Sequence, residues 1–206
     1  IYRVQGSTHL RKAEHTVIPD RMEAGTFLLA GVMTEGDVSV EGVDSESLRP
    51  FLTALETIGV GPRAGGARIA VHGGGRRRPI HVETAPHPGY PTDLHPPLAA
   101  LLAMVPGTSV LTETVFERRH TYADGLRAMG SEIAVEGSRV TITGVERLSG
   151  RSVVAPDIRS GAALVLAGLA ADGQTAITGA ETIDRGYASI EERLRNLGAH
   201  IERRRR

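Results

Sequence analysis

Two arginines of this 206-residue chain occupy matching places in its sequence. Arg185, in the stretch ETIDRGY, lies 12 residues beyond Gly173, and Arg119 lies 12 residues beyond Gly107. Each precedes a helical pattern, where unpaired backbone N–H groups and the helix dipole already attract an anion. A cation there slightly disfavours the helix, so its recurrence points towards anion binding rather than a stray surface charge. Arg159 follows Asp157 by two residues, in the first turn of another helical pattern. It either pairs with that aspartate or joins the same basic region. Asp93 sits in GYPTDLHPPL, an ordered loop by its glycine, prolines and tyrosine. It reads either as a helix N-cap or as a carboxylate with chemical work to do.

Composition narrows the remaining chemistry. The chain has no cysteine, which excludes disulfides, thiolate zinc sites and cysteine nucleophiles from it. Its eight histidines contain no i, i+4 pair, so no metal and no other cofactor is expected. No Gly-x-Ser-x-Gly occurs, and the glycine clusters AGGA (64–67) and HGGGRRRP (72–79) fit no dinucleotide or Walker pattern and read as turns. A formal net charge of zero gives no general attraction to nucleic acid or to an anionic membrane. One lysine, Lys12, stands against 23 arginines. That bias suits bidentate grip of carboxylate and phosphate, or reflects a GC-rich genome. The longest apolar run, AALVLAGLAA (162–171), is about half a membrane span, and no signal peptide opens the chain, so a cytoplasmic protein is expected. The opening IYRVQG lacks a methionine and reads as a strand already under way, as in an excised or truncated piece. The four closing arginines read as a solvated tail or an edge protector.

The elements that position these residues come in three similar copies. Similar strands open at Gly36, Gly107 and Gly173, and downstream of each a helical pattern ends in Leu-x-x-x-Gly, at Gly59, Gly130 and Gly198. Upstream of each lies another helical pattern opened by Pro and Asp, at Asp20, Asp93 and Asp157. In copy two its apolar stripe is Leu94, Leu98, Leu101, Leu102 and Val105; in copy three it is Ile158, Ala162, Val165, Leu166 and Leu169. The other faces carry mostly Ala, Gly, Leu and Met, so these helices belong inside. Each unit reads as strand, buried helix, strand, amphipathic helix and two strands. Copy one takes its first strand from AEHTVI (13–18), and copy three ends at AHIERRRR with no partner strand, one strand short. The prediction is a threefold pseudo-symmetric α/β domain, helices inside and sheets outside, with repeats over about 13–75, 79–144 and 151–206.

The stretches AEHTVIPDRMEAGTFLLAG, GYPTDLHPPLAALL, GTSVLTETVFERR, GVERLSG, APDIRSGAALVLAGLA and IDRGYASIEERLRNLGA together resemble the UDP-N-acetylglucosamine 1-carboxyvinyltransferase family. The resemblance runs from about Ala13 to Ala199 and covers the C-terminal half of that family's protein. It implies an enolpyruvate transferase-like fold: an inside-out α/β barrel lobe of three βαβαββ repeats. Residues 1–18 would be a crossover strand from an absent N-terminal lobe, and 19–206 the C-terminal lobe. The implied reaction moves the enolpyruvyl group of phosphoenolpyruvate to the 3-hydroxyl of UDP-N-acetylglucosamine, releasing phosphate in the first step of peptidoglycan synthesis. Carried over by position, Asp93 faces the 3-hydroxyl as general base and Val115 lines the nucleotide-sugar site. Arg119 and Arg159 hold the carboxylate of phosphoenolpyruvate and Arg185 its phosphate side. Asp157 lies near the carbon that gains and loses a proton, and Arg21 near the hinge between lobes. The chain departs from the family at His95, where glutamine is usual, and at Arg118, near which an uncharged residue is usual. The family's Lys-Asn pair, acid cysteine and a further arginine belong to the absent lobe, so the chain alone is expected to be inactive. Two other readings stand beside this one. One is a truncated, non-catalytic paralogue binding a nucleotide sugar or a protein partner; the other is a 3-phosphoshikimate 1-carboxyvinyltransferase, against which TDLHPPLAALL and IDRGY speak.

Overall fold

Asp20 and Asp157 each open a long helix by accepting backbone N–H bonds that the first turn leaves unpaired. In the computed structural model, which describes residues 1–204, Asp20 takes those of Met22 and Glu23, and Asp157 those of Arg159 and Ser160. The helices they start are α1 (Arg21–Met33) and α5 (Ile158–Ala170). Between them in the chain lies α3 (His95–Leu102), with prolines in its first turn, where their missing N–H groups cost nothing. The three helices pack on one another as the centre of the molecule. Every residue of α3 is buried, and the stripe Leu94, Leu98, Leu101, Leu102 and Val105 is wholly inaccessible. Each of those side chains contributes about 2 kcal/mol of burial. Copy three is buried at Ala162, Val165 and Leu166, while Ile158 and Leu169 are only partly covered. Gly25 lets α1 approach the turn before α3, since a Cβ there would lie 2.7 Å from a Leu94 methyl.

Three separate sheets surround these helices, and they do not join into one closed barrel among the described residues. Strands β1 (Asp37–Glu41), β2 (Arg63–Gly65) and β3 (Arg68–His72) form an antiparallel sheet in the order β1-β3-β2. Strand β4 (His81–Glu83) runs parallel to β5 (Thr108–Thr112), and β7 (Arg139–Thr143) and β6 (Glu132–Glu136) extend that sheet antiparallel. Strands β8 (Ser152–Val154) and β9 (Ala176–Thr178) make a parallel pair. The outer helices are α2 (Arg49–Ile58), α4 (Ala123–Ala128) and α6 (Ile190–Asn196). The glycines that follow them, Gly59, Gly130 and Gly198, all take positive φ, the left-handed stop that the Leu-x-x-x-Gly pattern announces. AGGA forms the β2–β3 turn and HGGGRRRP the link from β3 to β4.

Copy two therefore contains every element of the βαβαββ pattern. Copy one differs from expectation: residues 13–18 form no strand, and residues 1–20 are exposed and without regular structure. Their side chains find no apolar surface to cover them, as the exposure of Val17 and Ile18 shows. Copy three has no strand after α6 among the described residues, so AHIERRRR, expected as a closing strand without its partner, forms none over 199–204. Arg205 and Arg206, half of the closing arginine run, lie outside the described residues. Among the described residues no helix is long and apolar enough to cross a membrane.

Candidate active site

Asp93 does not cap its helix. The short 3-10 turn Thr92–Leu94 precedes α3, whose N-cap position is Leu94, so the Asp93 side chain is released from the role that Asp20 and Asp157 perform. Its carboxylate instead joins two guanidinium groups, at 2.9 Å from Nη2 of Arg119 and 2.8 Å from Nη2 of Arg159. The arginines are largely covered, with 11% and 17% of their side chains exposed, against 30% for Asp93. Three chain segments thus converge on one charged cluster: the loop before α3, the 3-10 turn Arg119–Tyr122, and the first turn of α5.

Each arginine is braced from below. Arg119 donates from Nε to the Thr92 hydroxyl at 3.0 Å and lies 4.2 Å over the Phe116 ring. Arg159 lies 5.5 Å over the ring of Tyr187, whose hydroxyl meets that of Thr26 on α1. Burial works against the Arg159 charge, yet the neighbouring Tyr187 and Asp93 outweigh it and raise its pKa. Its Nη1 is buried without a hydrogen-bond partner. Gly186 makes room for this group, since a Cβ there would fall 3.2 Å from that same nitrogen.

Asp157 is both a cap and a neighbour of the cluster. Besides the two backbone N–H groups it accepts from the hydroxyls of Thr121 and Ser160. Burial pushes its pKa up, but these four donors outweigh burial and hold the carboxyl below its usual range, so it stays ionised.

The remaining residues singled out from sequence are dispersed. Arg185 is exposed and has no hydrogen bond or ion pair among the described residues. It ends a 3-10 helix, Ala180–Arg185, and does not stand at the start of α6, which begins five residues later at Ile190. Its neighbour Asp184 lies inside the 3-10 helix and is gripped by both Nη atoms of Arg203, at 2.7 and 2.6 Å. The sequence repeat placed Arg119 and Arg185 alike, whereas Arg119 begins its turn and Arg185 finishes one. Arg185 nonetheless neighbours Gly186, where a side chain would crowd Arg159, and is two residues from Tyr187, whose ring lies under Arg159. Val115 is exposed on the loop after β5. Arg21 has no hydrogen bond or ion pair to the cluster among the described residues and ties α1 to the 3-10 helix Ser45–Leu48 and to the loop before Thr92, through the Ser47 carbonyl at 2.7 Å and Nδ1 of His87 at 2.9 Å. Among the described residues no three His, Asp or Glu side chains gather as a metal site.

Sequence reading missed Glu113, Thr92, Thr121 and Tyr187. Glu113 is a buried carboxylate at the end of β5 that accepts five hydrogen bonds. A signal existed in TET, an acid flanked by threonines directly after an apolar strand, but nothing local says whether such an acid turns inward.

An aspartate clasped by two braced guanidinium groups on a core of buried helices has the chemistry to hold a carboxylate or phosphate ligand beside a base. Comparison with known proteins shows the family. The family model described as EPSP synthase (3-phosphoshikimate 1-carboxyvinyltransferase) matches residues 1–194, and the chain belongs to this carboxyvinyltransferase family. Within it, the similar curated proteins are UDP-N-acetylglucosamine 1-carboxyvinyltransferases. That of Desulfofundulus thermocisternus is 48% identical over 92% of this chain and 78% of its own length. Enzyme 2 of Carboxydothermus hydrogenoformans is 47% identical over 98% of this chain and 49% of its own length. Apart from the first of these, the chain spans about half the length of the curated relatives it matches. The enolpyruvyl transferase NikO from Streptomyces tendae superposes with a TM-score of 0.84 at 30% identity, over 91% of this chain and 45% of that one. EPSP synthase from Acinetobacter baumannii, at 24% identity and a TM-score of 0.62 over 80% of this chain and 39% of that one, shares the fold.

Proposed function

We propose that this chain is the C-terminal lobe of a UDP-N-acetylglucosamine 1-carboxyvinyltransferase and supplies its base and most of its anion grip. The observation that carries this reading is the Asp93 carboxylate held between Arg119 and Arg159. Fixed guanidinium forks bind a carboxylate in one orientation, and such preorganised charge is commonly the largest catalytic contribution. Arg119 and Arg159 take the carboxylate of phosphoenolpyruvate; the buried Nη1 of Arg159, without a partner, supplies a further donor. Arg185, exposed beside Gly186, meets the phosphate once a second lobe closes over it, and Val115 lines the nucleotide-sugar side. Arg21 holds the start of α1 near the interlobe hinge.

Asp93 accepts the proton of the sugar 3-hydroxyl as that oxygen bonds to C2 of phosphoenolpyruvate. Protonation of C3, by an acid from the other lobe, completes a tetrahedral adduct. Loss of a C3 proton together with phosphate then restores the double bond, now on the sugar. Asp157, kept ionised by its four donors, is the carboxylate assigned to the C3 side. The test is phosphate release from phosphoenolpyruvate and UDP-N-acetylglucosamine when the chain is mixed with the N-terminal half of a relative. Release is expected with the parent chain and falls at least about 100-fold with Asp93→Ala or Arg119→Ala, a loss of about 3 kcal/mol in barrier lowering. Equal release by parent and variants would overturn the assignment.

A further inference from the structure

Behind the arginine cluster lies a buried polar chain whose five members come from four segments. The Glu113 carboxylate is the hub. Its Oε1 accepts from the Thr84 hydroxyl at 2.8 Å and from the N–H groups of Val115 and Phe116, each at 2.9 Å. Its Oε2 accepts from the Thr92 hydroxyl and from Nδ1 of His95, each at 2.9 Å. With Nδ1 donating to Glu113, Nε2 of His95 is left to accept, and the Tyr122 hydroxyl lies 2.8 Å away to donate. His95 and Tyr122 are fully buried and Glu113 nearly so.

The directions of these bonds agree with one another. Burial lowers the His95 pKa, and although Glu113 pulls it back up the net shift is downward, which keeps the ring neutral. Burial also pushes Glu113 up, but His95 and the backbone donors overcome it and leave the carboxyl at about 2. With the histidine neutral, the Glu113 charge has no cation beside it and is offset by the five hydrogen bonds donated to its two oxygens, while the histidine and tyrosine satisfy each other.

Two routes lead outward from this hub to the same arginine. In one, Thr92 gives its hydroxyl proton to Glu113, so its lone pairs face Nε of Arg119 at 3.0 Å. In the other, the carboxylate folds back the turn after β5 through the Val115 and Phe116 amides, and the Phe116 ring then lies 4.2 Å beneath the Arg119 guanidinium. Arg119 in turn holds Asp93. We propose that Glu113, fixed by His95 and Tyr122, is the positioning residue of this site and sets the orientation of Arg119, and through it Asp93, by way of Thr92 and Phe116. The inference deepens the reading of the site given above and rests on it for the identity of the ligand, though not for the geometry of Arg119.

Glu113→Gln replaces an acceptor-only group by one carrying two N–H donors, which would face groups that already donate. Thr92→Val keeps the shape of Thr92 and removes the link alone, whereas Thr92→Ser keeps the hydroxyl. The readouts are the hydrogen exchange of the Arg119 Nε–H in ¹⁵N spectra and calorimetric titration with phosphoenolpyruvate. In the parent chain the Nε–H resonance is expected to be slow to exchange. In Glu113→Gln and Thr92→Val it exchanges at least tenfold faster and phosphoenolpyruvate binds about tenfold more weakly, while Thr92→Ser stays within twofold of the parent in both. If Glu113→Gln does not fold, the Thr92→Val and Thr92→Ser pair decides. Unchanged exchange and affinity in a folded Glu113→Gln or in Thr92→Val would overturn the proposal. A parent chain that binds no phosphoenolpyruvate would count against the functional reading, and the Arg119 resonance would still judge this one.

Discussion

Because Asp93 already occupies the arginine pair, an incoming anion must displace a carboxylate before it can bind. Replacing Asp93 by Asn is therefore expected to tighten binding of a small anion while removing the base. Asp93 offers each arginine a charge-assisted hydrogen bond, at 2.9 and 2.8 Å. The guanidinium groups are mostly covered but the carboxylate is 30% exposed, so each pair is worth about 1 kcal/mol, at the upper end for exposed ion pairs. The neutral amide can still accept from one arginine, but its NH₂ turns a donor towards the other. Removing the negative charge also removes its repulsion of the ligand, which acts with the same sign. Together these amount to about 2 kcal/mol, or about 30-fold in affinity. Calorimetric titration of the parent chain and Asp93→Asn with phosphoenolpyruvate, at one pH and low ionic strength, measures this directly. In its absence the variant should be less stable than the parent, because two guanidinium charges lose their counter-charge, and added ligand should restore the difference. An Asp93→Asn protein that binds equally or more weakly would refute the reasoning, since the arginines would then not be held by Asp93 in competition with the ligand.

Three further outcomes follow from the same geometry. Asp157→Ala removes an N-cap together with the acceptor of two hydroxyls, and chemical denaturation should show a loss of about 2 kcal/mol. Gly186→Ala sets a methyl 2.6 Å from an Ile158 methyl and 3.2 Å from Nη1 of Arg159, so phosphoenolpyruvate affinity should fall several-fold by calorimetry with far-ultraviolet dichroism unchanged. Stability should decline with acid in two stages. Below about pH 6.5 the unfolded chain protonates His95, whose folded pKa is depressed; below about 4.5 it protonates Glu113, which the folded chain keeps ionised down to about 2. Urea unfolding at pH 7, 5.5 and 3.5 checks the order, and His95→Gln should abolish the first stage alone.

The chain's elements were legible wherever periodicity or capping chemistry is local. An apolar stripe in α3 and α5, an aspartate ahead of α1 and α5, and glycines closing the outer helices are each decided within one or two turns of chain. Reading failed where a residue's role depends on what another segment brings to it. Residues 13–18 hold the place of a first strand in the repeat, but a strand exists only where an edge accepts its hydrogen bonds. Arg119 and Arg185 hold the same place by counting, and the next helices start four and five residues beyond them, yet Arg119 opens a 3-10 turn and meets Asp93 from another segment while Arg185 ends one and stays exposed.

The three aspartates draw the line between the two kinds of information most plainly. Sequence by itself determined that Asp20, Asp93 and Asp157 stand just ahead of buried helices, that arginines lie near them in the chain, and which family pattern they follow. Their types and spacing are local facts. It could not say that Asp20 and Asp157 would spend their carboxylates on helix N–H groups while Asp93 would turn outward to Arg119 and Arg159, because that choice lies in contacts 26 and 66 residues apart along the chain. Nor could it show Glu113 buried beneath them. A carboxylate enters a core only where enough donors converge to replace its water, and Thr84, Thr92 and His95 reach it only once β4, α3 and β5 have packed together.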